Sequence, residues 1–88
     1  MNTSFILMAQ FGARAIIPID EVCKTYFSHL DTNKLLRKIA LGEIALPLVR
    51  IEGSQKSVRG IHLQDLAEYI DRQRAAAIKE RDQLCGLR

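Results

Sequence analysis

Asn33, Lys34, Arg37 and Lys38 stand at spacings that gather them on one arc of a helix. Farther along, Arg50, Ser54, Gln55, Lys56, Ser57 and Arg59 crowd a short polar turn and its flanks. The chemistry open to such a set is recognition of a polyanion. Lys and Arg neutralise phosphates, hydroxyls and amides donate to phosphate oxygens, and Arg or Asn binds guanine or adenine in bidentate fashion. From Asp31 to Gly60 there are six cations and three acids, so the net +3 of this segment equals that of the whole chain. The positive balance sits where these residues are.

The surrounding sequence must position them. Asp31 is an N-cap, Gly42 a stop, and between them Leu35, Leu36, Ile39 and Ala40 share the arc opposite the cations, with Leu41 falling among the cations. Thr32, at the helix start, is placed for a phosphate or base contact. A solvated helix face has the same pattern, so this helix alone leaves both readings open. Before it, Asp20 caps a helix whose Ile19, Val22, Cys23, Tyr26 and Phe27 form one apolar face, and Ser28-His29-Leu30 makes the turn. After it, Leu46 to Glu52 reads as a strand led by Pro47, Gly53 to Ser57 as a turn, and Val58 to His62 as the returning strand. Two helices, the second basic, followed by a hairpin match a helix-turn-helix with a wing.

The flanks are helical. Asn2, Thr3 or Ser4 caps a two-turn helix over Phe5 to Phe11, closed by Gly12, and Ala15 to Ile17 is extended because Pro18 follows. A last helix runs from Leu63 to Leu84, with Leu63, Leu66, Ala67 and Ile70 toward the core. Beyond Asp71 its apolar pattern thins. Ile70, Ala77 and Leu84 recur every seven residues, but Gln73 and Glu80 interrupt the seam, so a solvated tail and a dimerisation helix both fit. The expected division is a DNA-binding domain over 1–74 and a helical tail over 75–88.

Other classes find little support. Eighty-eight residues, 48% of them hydrophobic, make one domain with a modest core. Cys23 and Cys85 lie far apart, outside any CxxC or His-ligand spacing, so reduced thiols are expected rather than a disulfide framework or metal site. The FILMA run is short and no Lys or Arg precedes it, unlike a secretion signal, and no stretch nears the roughly 20 apolar residues of a membrane span. A cytoplasmic protein with no membrane contact is the expectation. His29 and His62 read as turn or cap residues. GSQKS lacks the spaced glycine of a phosphate loop, and no nucleophile elbow or paired carboxylate occurs. The chain is therefore expected to be no enzyme and to need no cofactor.

PLVRIEGSQKS followed by GIHLQDLAEYID, together with FILMAQFG and AIIPIDEVC, resembles the pyocin activator protein family, small phage- and bacteriocin-associated transcription regulators. The resemblance spans Thr3 to Arg74, and the element order is also similar to excisionase-like and MerR-like winged helices. It implies activation of phage-tail-like bacteriocin or prophage genes from a promoter-proximal site. The expected fold is α+β, mainly α: a winged helix-turn-helix with a two-stranded hairpin wing and a longer C-terminal helix. Its partner would be double-stranded DNA, with Asn33, Lys34, Arg37 and Lys38 in the major groove and the GSQKS turn on the backbone or in the minor groove. RNA polymerase and further copies on repeated sites would be additional partners. Two alternatives are a recombination directionality factor that bends DNA and a protein-binding anti-repressor module.

Overall fold

The computed structural model describes residues 2–53 and 59–86. Among the described residues four helices and three short strands follow in the order α1 (Thr3–Phe11), β1 (Ile16–Pro18), α2 (Ile19–Tyr26), α3 (Thr32–Ala40), β2 (Val49–Arg50), β3 (Arg59–His62) and α4 (Leu63–Cys85). The class is α+β and mainly helical, as expected.

The sheet departs from expectation. It has three antiparallel strands in the order β1-β3-β2, not two. Ile16 to Pro18 pair with His62 to Gly60, and the Leu63 amide extends the contact by donating to the Ala15 carbonyl at 2.8 Å. Gly60 permits this approach, since a Cβ there would lie 2.2 Å from the Ile17 carbonyl oxygen. β2 covers only Val49–Arg50, shorter than the Leu46–Glu52 run of strand formers. Leu46 is buried and Leu48 half-buried in the extended segment before it, so burial rather than strand pairing accounts for those apolar residues. Val58 lies outside the described residues.

The core gathers Leu7 and Phe11 from α1, Ile17 from β1, Ile19, Val22 and Cys23 from α2, Leu35 from α3, Ile61 from β3, and Leu63, Leu66 and Ala67 from α4. Each fully buried aliphatic side chain contributes about 1.5–3 kcal/mol by leaving water. Cys23 is a small core residue whose Sγ lies 3.2 Å from the Leu30 carbonyl. Two face assignments and one cap need correction. Tyr26 is 36% exposed and hydrogen-bonds Gln10 across to α1, because its hydroxyl needs a polar partner. Ala40 is exposed, whereas Leu36 and Ile39, though half-buried, pack against the core as expected. Asp20 is not a cap: α2 begins at Ile19 after extended Pro18, leaving Asp20 in the first turn, where it complements the helix dipole.

Capping accounts for the other helix ends. Asn2 accepts from the Ser4 amide, and Nδ1 of His62 accepts from the Gln64 amide at 3.0 Å, so His62 starts α4. Past Ile70 nearly every residue of α4 is exposed, and the helix runs clear of the core. Among the described residues no helix is long and apolar enough to cross a membrane.

Candidate nucleic-acid interface

α3 is fixed at both ends. Asp31 Oδ1 accepts from the Lys34 amide at 2.8 Å, satisfying one of the free N–H groups of the first turn. At the other end the Gly42 amide reaches the Ile39 carbonyl and the Glu43 amide the Lys38 carbonyl, a tight closure that puts Gly42 at φ +76. Leu35 anchors the inner face by complete burial. The outer face, with Asn33, Lys34 and Arg37, is thereby presented to solvent.

Between α3 and the sheet edge lies an open groove of about 580 Å³. Asn33 and Arg37 enter it from α3, Arg50 from β2 and Arg59 from β3, over a floor that includes Leu36, Ile39, Leu46 and Leu48. Arg50 and Arg59 are directly opposed in the β2–β3 register. Like charges in that position cost stability. Among the described residues no acidic side chain lines the groove, and no ion pair or side-chain hydrogen bond engages Arg37, Arg50 or Arg59. Three guanidiniums converging on one concave surface have the charge and donor geometry that an anion with several oxygens would need.

The remaining expected residues are arranged differently. Lys34 is exposed on α3 but does not line the groove. Thr32 is half-buried at the helix start, and Lys38 is half-buried with its Nζ 3.8 Å from Glu43, which draws it toward the C-terminal turn. Ser54, Gln55, Lys56 and Ser57 lie outside the described residues. The apolar floor is what sequence reasoning missed. The sequence reads Leu46 and Leu48 as strand residues, whereas an extended segment around Pro47 carries them into the groove.

Residues 3–77 match the family model described as pyocin activator protein PrtN. The chain belongs to the pyocin activator family. No curated protein and no solved structure matches it. Every element that lines the groove falls within the span matched by the pyocin activator model. That span also takes in α1 and the first two-thirds of α4, so the family's sequence pattern includes the whole core.

Proposed function

We propose that this pyocin activator family member binds double-stranded DNA and activates pyocin, other phage-tail-like bacteriocin or prophage genes in the cytoplasm. α2 and α3 act as a helix-turn-helix and the β2–β3 pair as its wing. The carrying observation is the convergence of Arg37, Arg50 and Arg59 with Asn33 on one groove that no carboxylate lines. Arg37 and Asn33 sit on the helix side, where bidentate contacts to base edges would be made, and Arg50 and Arg59 grip phosphates from the sheet side. RNA polymerase is the further partner an activator requires. The chain acts by binding, and no catalytic step is assigned to it. Titration of promoter-region and random duplexes over a range of salt tests the reading. With about five phosphates neutralised, log K falls against log salt with a slope of roughly −5. A flat response would refute DNA binding and favour the protein-binding module.

One observation favours a second reading on the same groove. Ile51, directly after Arg50, is 62% exposed. An apolar side chain so placed could wedge between base steps and bend DNA, as recombination directionality requires. A map of bound sites separates the readings: promoters support activation, and attachment sites support recombination.

A further inference from the structure

The arginine groove offers more apolar surface than a duplex can use. Leu36, Ile39, Ala40, Leu46 and Leu48 line it beside the three guanidiniums and Asn33. Ala40 is exposed, and Leu36, Ile39 and Leu48 are half-buried, so aliphatic carbon remains open to the groove. Stacked base pairs present phosphates and base edges at the surface of a duplex, not ring faces. Phosphates gain nothing from aliphatic carbon. The volume of about 580 Å³ lies within the roughly 300–1,000 Å³ of small-molecule sites, which likewise combine an apolar lining with a few polar groups. The polar groups here suit one class of molecule. Guanidiniums bind phosphate oxygens in a bidentate fork, and a carboxamide both donates to and accepts from the edge of adenine. Among the described residues no side-chain hydrogen bond occupies Asn33.

We infer that the groove is also a site for a free purine nucleoside triphosphate, whose base covers Leu36, Ala40 and Leu48 while its phosphates lie among Arg37, Arg50 and Arg59. Asn33, one turn before Arg37 on the same side of α3, meets the edge of the base and favours adenine. The ligand satisfies both halves of the groove at once, charge by its phosphates and apolar carbon by its ring. Its phosphates also separate the facing charges of Arg50 and Arg59. Because the nucleotide uses the same guanidiniums as a duplex, the two exclude each other, and nucleotide would lower occupancy of DNA. That competition rests on the DNA-binding reading; the nucleotide site itself does not.

Isothermal titration calorimetry of the full chain without nucleic acid tests the inference, with ATP, GTP and inorganic triphosphate as titrants at equal ionic strength. Triphosphate supplies the charge and lacks the ring. Covering roughly 60 Å² of apolar surface is enough for a ten-fold gain, so ATP should bind about ten-fold more tightly than triphosphate. ATP should exceed GTP by at least about five-fold, since O6 and N7 of guanine both accept and leave the Asn33 carbonyl unmatched. Asn33→Ala, at an exposed position, should level ATP and GTP without unfolding the chain, whereas Arg59→Ala should weaken ATP and triphosphate alike. ATP that binds no better than triphosphate, or not at all at millimolar concentration, overturns the proposal. GTP that binds as tightly as ATP overturns the role of Asn33. Duplex titrations are read separately. A chain that binds duplex but takes ATP no better than triphosphate keeps the DNA reading and loses this one, and a chain that takes ATP but no duplex does the reverse.

Discussion

Arg50 and Arg59 oppose each other across two strands, and on the proposed function a bound phosphate would relieve their repulsion and couple ligand to fold. Arg59→Ala should therefore weaken binding to specific and random duplexes alike and lower the salt slope by about one. Arg37 projects from the middle of the exposed arc of α3. Loss of a bidentate base contact costs about 1–3 kcal/mol, so Arg37→Ala should weaken specific binding by roughly 10- to 100-fold and random binding less. A competition titration at two salt concentrations reads both, and the reverse pattern would exchange the roles of helix and sheet. A second residue-scale constraint concerns backbone approach. Gly60→Ala places a methyl group 2.2 Å from the Ile17 carbonyl oxygen and should cost about 3 kcal/mol of stability in urea unfolding. The need for glycine there was illegible in the sequence, because it arises from a strand paired far away along the chain. The cations themselves were legible, since charge pattern survives any fold.

At the scale of elements, the turn between α1 and β1 is clamped to α2. Arg14 donates to both carboxylate oxygens of Glu21, at 3.0 and 2.8 Å, and its Nε also reaches the Phe11 carbonyl. The hydrogen bonds from Arg14, helped by its charge, hold the Glu21 pKa below its ordinary value and raise that of Arg14. A depressed carboxylate contributes stability that is present above its unfolded pKa and is lost as pH falls through the folded one. Arg14→Ala should return Glu21 to the ordinary carboxylate range in an NMR titration and remove that acid-side dependence. An unchanged titration would show that the pair is not formed in solution. Helix existence and capping by Asp31 followed directly from local chemistry. The sheet did not: Ile16–Pro18 reads as an extended linker until its partner at Gly60–His62 is known, and pairing is not a local property. Likewise, the run of strand formers cannot distinguish a strand from an extended segment that buries Leu46, so β2 is shorter than the run suggests.

The whole molecule measures 51 × 28 × 19 Å, elongated with a 23-residue α4 that outruns its core. The buried side chains of α4 are Leu63, Leu66 and Ala67, all in its first turns, and α1 packs along that same portion through Thr3 to Asp71 and Ser4 to Gln64 hydrogen bonds. Truncation of residues 75–88 should thus leave the melting temperature within about 5 °C of the full chain in a thermal melt. A larger fall would place the boundary of the folding unit beyond Arg74. The position of the groove could not be read from the sequence either, since it depends on how α3 and the sheet edge diverge.

The sheet order also sets the folding path. β3 is central, and β1 can join it only after the chain from α2 through β2 has been looped out between them. Closing so long a loop is entropically unfavourable until the contacts it permits are made. The helices and the β2–β3 pair, being local, are expected to form first, and the β1–β3 ladder to seal the domain late. Interactions made after the transition state govern how fast a protein unfolds rather than how fast it folds. The close fit of Gly60 beneath Ile17 should therefore act as a brake on unfolding, so that the lifetime of the arginine groove would depend on a strand that contributes nothing to its walls.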